Sequence, residues 1–181
     1  MTHTSPDEIV GFWQSIGPKG WFRKDDAVDQ QMRRDFASIH EQGAQGKLFA
    51  WQEDPVSSLA LIILLDQFSR NMYRDSANAF SQDEMAISCA EYALSRAFDT
   101  KVAPELASFF YMPFMHSERI SDQNRCVALF HALHSDDSLK FAIIHRDIIG
   151  RFGRFPHRNT VLSRHTTPAE RAFLEAGGFS G

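Results

Sequence analysis

Between His145 and His165 the chain reads HRDIIGRFGRFPHRNTVLSRH, five arginines and three histidines against one carboxylate, Asp147. Arginine brings a rigid fork of donors that matches carboxylate and phosphate, and histidine titrates near neutrality. The stretch suits three roles: a site for an anion, a strip for nucleic acid, or internal cement for a chain whose formal net charge is -4. Gly153 is expected to stop the preceding helix and Pro156 to hold Phe155 extended. RFGRFPHRN then forms a loop anchored by Phe152 and Phe155 that presents Arg151, Arg154, His157, Arg158 and Asn159. His145 shares a face with Phe141, Ile148 and Phe152, which predicts a satisfied core histidine.

Two further polar groups interrupt apolar patterns. Helical steps from Leu59 reach Ile63, Asp66 and Arg70, so an acid and an arginine at i, i+4 continue an inward face. Gln67 and Asn71 lie one position further round. Leu61, Leu65 and Phe68 cover another side, which predicts a central helix with an ion pair at least half buried. In YMPFMHSE, Pro113 removes a helical hydrogen bond and bends the chain, leaving His116, Ser117 and Glu118 at an irregular junction where freed polar groups need partners.

Asp66, His116, Glu118 and His157 are groups that general acid–base catalysis uses, and Ser117 is a nominal nucleophile. No HExxH, GxSxG or phosphate loop accompanies them. His116 and Glu118 alone make no metal site, so neither metal nor cofactor is expected. The alternating Arg and Phe of RFGRF could serve single-stranded RNA, but at helix-end spacing the same phenylalanines serve as core anchors. A pI near 6.0 argues against DNA. The leading expectation is a binding module rather than an enzyme. Asp66, Arg70, Asn71, His116, Glu118, Arg151, Arg154, His157 and Arg158 would line a concave polar surface for an anionic small molecule or a carboxylate-bearing peptide. An enzyme using His116, Glu118 and Asp66 is the alternative, and RNA binding through the Arg/Phe loop the third.

Helices must position these groups. SPDE (Ser5 to Glu8), SQDE (Ser81 to Glu84) and TPAE (Thr167 to Glu170) read as capping boxes, and Asp54-Pro55 as a further start. Apolar residues recur at helical spacing through Val28, Met32, Phe36 and Ile39, through Leu59 and Ile63, and through Phe141, Ile144, Ile148 and Phe152. No alternation typical of strands intervenes. The prediction is all-α, with helices at 6–16, 26–43, 55–72, 82–98, 104–115 with a bend at Pro113, 120–134, 137–152 and 168–176. GGFSG reads as the last helix stop, with Gly177 left-handed and Phe179 folding back.

A length of 181 residues suits one domain, residues 1–181, able to bury about 70% of the unfolded surface. Two unpaired cysteines, Cys89 and Cys126, suit a reducing compartment. The N-terminus lacks signal-peptide character, and LALIILL (Leu59 to Leu65) falls short of the ~18 apolar residues of a spanning helix. A cytoplasmic protein without membrane attachment is expected.

Three strings, LDQFSRNMYRDSANAFSQDEMA, FFYMPFMHSERISDQNR and HRDIIGRFGRFPHRNTVLSRHTTPAERAFL, resemble the signature segments of a bacterial family of unknown function, domain of unknown function 924. The resemblance runs from about Phe12 to Gly181. It implies an all-α fold similar to tetratricopeptide-repeat (TPR) proteins, a right-handed superhelix of antiparallel hairpins with about eight helices, and no established activity. Positions matching its motifs include Asp66, Gln67, Arg70, Asn71, His116, Ser117, Glu118, Gln123, Arg151, Arg154, His157, Arg158 and Asn159. Ser69 stands where the family pattern has proline, and Ser163 where it has glycine. No 34-residue repeat is legible.

Overall fold

The computed structural model describes residues 4–179. Every regular element among them is helical, as expected from the caps and spacings. The described residues gather into two compact units. One comprises the chain through Arg74 with Asn78–Pro113, and the other Asp75–Ala77 with the chain from Phe114 onward.

In the first unit, α1 (Pro6–Ile16) starts with the predicted reciprocal Ser5–Glu8 cap. A single turn, α2 (Pro18–Trp21), follows, a feature too short to leave a periodic signal. α3 (Asp26–Ala44) is capped by Asp25, and α4 (Pro55–Ile62) by Asp54. α4 runs without a break into a π-helical stretch, Ile63–Phe68, and then α5 (Ser69–Met72). This rod is buried at every position from Ser58 to Ser69, as a helix apolar around most of its girth should be. α1, α3 and α6 (Asp83–Ser95) pack on it. Trp13, Phe68 and Phe109 are fully buried and meet ring to ring at 5.4–5.9 Å.

Two expectations fail here. Ser81 does not cap α6: Gln82 precedes the helix without a side-chain cap bond. A 3₁₀ turn at Ala77–Phe80 runs up to Ser81, whose hydroxyl donates back to the Asn78 carbonyl instead. The predicted helix over 104–115 is three pieces: α7 (Pro104–Ala107), a 3₁₀ turn at Ser108–Phe110, and α8 (Met112–His116). The break comes at Tyr111. Pro113 sits in the first turn of α8, where no intrahelical N–H is needed.

In the second unit, α9 (Ile120–Ala132) and α10 (Asp136–Phe152) form an antiparallel hairpin. A Cβ on Gly150, near the end of α10, would lie 4.0 Å from Ile120 at the start of α9. The inward face of α10 is Ala142, His145, Ile148 and Ile149. Phe141 and Ile144, placed on the apolar stripe by spacing, are 53% and 43% exposed. The buried stripe is rotated toward Ala142 and Ile149. Gly153 ends α10 left-handed, and α11 (Pro168–Glu175) begins with the predicted Thr167–Glu170 box. Ser180 and Gly181 of the expected helix stop lie outside the described residues.

Candidate functional site

The polar residues singled out by sequence fall in two places. Asp66, Arg70 and Asn71 belong to the first unit, and His116, Glu118, Arg151, Arg154, His157 and Arg158 to the second.

In the first unit the Asp66 carboxylate is 1% exposed. It meets Arg70 Nη1 at 2.9 Å and accepts from Gln67 Nε2 at 2.7 Å. Arg70 also donates to the Asp66 carbonyl, and its other terminal nitrogen lies 2.9 Å from Asp83 Oδ1. One guanidinium is thus shared by two carboxylates and lies 5.8 Å from the Phe80 ring centre. Asn71 turns elsewhere, donating to Asp29, which Arg74 grips with two nitrogens.

Spacing does not mark Asp29 or His40, yet both are buried on α3. The available signal was a carboxylate and an imidazole at helical intervals around Met32 and Phe36. The Ser69 hydroxyl donates to the Leu65 carbonyl at 2.6 Å, so it must accept from His40 Nε2 at 2.7 Å. Burial pushes His40 down to about 4. Acids, amides and guanidiniums here turn mainly to one another.

The second unit is built around the junction that YMPFMHSE predicted. Gln123, fully buried, donates through its amide nitrogen to the Met115 and Ser117 carbonyls, both at 2.7 Å. It thereby replaces the helical bonds lost after α8. The Ser117 hydroxyl donates to Asp122 at 2.6 Å, an arrangement of a turn rather than of an activated nucleophile. Glu118 accepts from Arg164 Nη1 at 2.7 Å and Nη2 at 3.0 Å, and from the Phe155 N–H at 2.8 Å. Burial pushes its carboxyl up, but the Arg164 and Phe155 hydrogen bonds and the charges of Arg164 and Arg158 outweigh this and hold it below the usual range.

The loop between α10 and α11 divides its arginines. Arg154 grips Glu170 through two nitrogens, at 2.6 and 2.9 Å, and also donates to the His165 carbonyl. Arg154, with the Thr167 and Asn159 bonds, holds Glu170 down at about 2 against the upward push of burial. Arg158 is buried, stacked 4.6 Å from the Phe155 ring centre, and donates to the His116 carbonyl at 3.0 Å. Arg151 remains exposed, 4.7 Å from the Phe152 ring. Phe155 and Pro156 are buried, so the loop's rings anchor the core rather than offer a stacking platform. Arg164, which spacing did not place in the site, is the residue that reaches Glu118.

His157 lies beside Arg158 on the same loop. Its Nδ1 is buried and has no hydrogen-bond partner among the described residues. Burial first, then the charge of Arg158, push it down to about 4, so the ring is neutral at physiological pH. His145 behaves as predicted, buried and donating from Nδ1 to the Phe141 carbonyl at 2.7 Å. Among the described residues no group of three or more His, Cys, Asp or Glu is placed to hold a metal. No described helix is long and apolar enough to cross a membrane.

A family model described as bacterial protein of unknown function (DUF924) matches residues 9–178. The chain belongs to this family. No curated protein matches it. It is similar, at 45% identity and a TM-score of 0.92, to a solved structure described as a protein of unknown function, ATU0120, from Agrobacterium tumefaciens. The match covers 95% of this chain and 97% of that one. The positions of the signature segments named above fall in the two networks, apart from the exposed Arg151. The two departures also acquire a setting. Ser69, in place of proline, follows the π-helical stretch and uses its hydroxyl to join His40 to Leu65. Ser163, in place of glycine, adopts a left-handed φ of 53°.

Proposed function

We propose that the chain is a helical binding module and that the cluster of His116, Glu118, His157, Arg158 and Arg164 receives the anionic group of a small molecule or peptide. The observation that carries this reading is the His157 Nδ1. A buried polar atom without a partner is costly, and this one lies in the field of Arg158 and Arg164. An incoming carboxylate or phosphate would accept a hydrogen bond from Nδ1–H and gain from both guanidinium charges. Arg164 is committed to Glu118, Asn159 and the Phe155 carbonyl, so it contributes charge rather than a free donor. Arg154 stands outside the cluster because it is held by Glu170 and the His165 carbonyl and is not among the charges that act on His157.

Anion binding beside an imidazole raises the imidazole's pKa, so affinity should increase as pH falls below neutral. Titration of ring-labelled histidines by NMR, with and without inorganic phosphate, tests this. The His157 midpoint should move upward from about 4 when phosphate is present. His157→Gln should weaken phosphate binding with thermal unfolding unchanged. A His157 signal that ignores millimolar phosphate would return the cluster to a purely structural role.

A further inference from the structure

The last helix stops in a way that delivers one ring to one place. Gly177 is left-handed, with φ 77°. Its N–H donates to the Leu174 carbonyl at 3.1 Å, and the Gly178 N–H donates to the Phe173 carbonyl at 3.0 Å. This is the paired reverse turn that closes a helix. A Cβ on Gly178 would lie 2.6 Å from the Phe173 carbonyl oxygen, so the turn admits no side chain there. The chain swings round, and Phe179 packs on Ile148, Ile149 and Phe155. Its ring meets His145 at 4.5 Å and 61°, and His157 at 5.3 Å and 76°. Phe155, fully buried, lies 5.5 Å from His145 and 5.6 Å from His157. Rings therefore frame a niche on three sides, and Phe179 fills it.

The walls and the occupant are held differently. His145 stands in the middle of α10, tied to the Phe141 carbonyl. Phe155 is tied to Glu118 through its N–H and to Arg164 through its carbonyl. Phe179 is only partly buried and follows a turn of two backbone bonds. Tilted and edge-on ring contacts are not particular to phenylalanine of this chain, since any aromatic ring offers the same face to an imidazole edge. One wall of the niche is His157, the residue with the unpartnered Nδ1.

We infer that the niche framed by His145, Phe155 and His157 is a receptor for an aromatic ring, that Phe179 is its resident occupant, and that the ligand of the adjoining cluster carries an aromatic ring beside its carboxylate or phosphate. The ligand class rests on the anion reading above, whereas the niche does not. Ring binding requires Phe179 to leave, and apparent affinity is reduced by the fraction of molecules in which it has left.

The test uses the full chain as wild type, Phe179→Ala and Gly178→Val. The first variant removes the occupant; the second forces the turn off Phe173 while keeping the ring. Benzyl alcohol, benzoate and acetate are the probes, followed by calorimetry and by the His145 and His157 ring resonances. Both variants should bind benzyl alcohol at least about tenfold more tightly than wild type, and benzoate more tightly than acetate. No gain for benzyl alcohol in either variant, with thermal unfolding preserved, overturns the niche. Benzoate that binds no better than acetate in both variants overturns the ligand class. Benzyl alcohol is uncharged, so its response is independent of the phosphate titration and the two readings fail separately.

Discussion

The Glu118 carboxylate and the Arg164 guanidinium meet through two parallel hydrogen bonds, of 2.7 and 3.0 Å, across 46 residues of chain. The same carboxylate oxygen that receives the second bond also accepts the Phe155 N–H. The pair therefore does more than match charges, for it closes the loop between α10 and α11 against the junction after α8.

Glu118→Ala should accordingly cost about 2–4 kcal/mol, because it strands a guanidinium and a buried N–H together. Urea unfolding with an unchanged slope would measure it. A loss below about 0.5 kcal/mol would class the pair with exposed ion pairs.

Asp66→Ala acts in a different setting. Arg70 keeps a second carboxylate, Asp83, so the single change should cost about 2–3 kcal/mol rather than the full 3–5 kcal/mol of a lone buried charge. Asp66→Ala with Asp83→Ala should cost more than the two separately, since each covers for the other. A double-mutant cycle with no coupling would show that Arg70 is not shared.

Mild acid should weaken the fold through its buried histidines. His40 and His157 are both pushed from the ordinary 6.5 down to about 4 by burial. Between those values the unfolded chain binds more protons, so stability is complete above pH 6.5 and declines as pH falls toward 4. His40 alone should contribute about 2–3 kcal/mol of this loss. His40→Gln, which can still donate to Ser69, should flatten the decline measured by thermal unfolding from pH 7 to pH 4. An equal slope in both proteins would contradict the assignment.

Ser163→Gly should stabilise. A side chain at φ 53° is disfavoured, while glycine is at ease there but has more entropy to lose on folding. The net gain should be about 0.5–1 kcal/mol, or roughly 2 °C in Tm for a chain of this size. Ser163→Ala, which keeps the Cβ, should give no gain.

Much of this architecture is legible in the sequence where the signal is local. Ser5–Glu8, Asp54 and Thr167–Glu170 announce helix starts because a cap involves residues only three apart. Gly153 and Gly177 announce stops for the same reason. The expected ion pair Asp66–Arg70 is local too. The pairing of Arg164 with Glu118 and of Arg154 with Glu170 is not, because nothing in five arginines says which one reaches which acid. Phe141 and Ile144 mislead because helical spacing records a face but not how much of it a neighbour covers. Asp29 and His40 are not legible because a polar residue amid an apolar stripe reads as its edge until the partner helix is in place.

The π-helical stretch at Ile63–Phe68 has a consequence for how the rod tolerates changes of length. A π turn carries one residue more than an α turn over the same path. Deleting one residue there would let the rod run on as α-helix over that same path, with Ser69 still facing His40 and Asn71 still facing Asp29. Deleting one from the α-helical turns before it would instead swing everything beyond by about 100°. The surplus residue is slack in the rod, so these six positions should accept a loss that their neighbours in α4 should not.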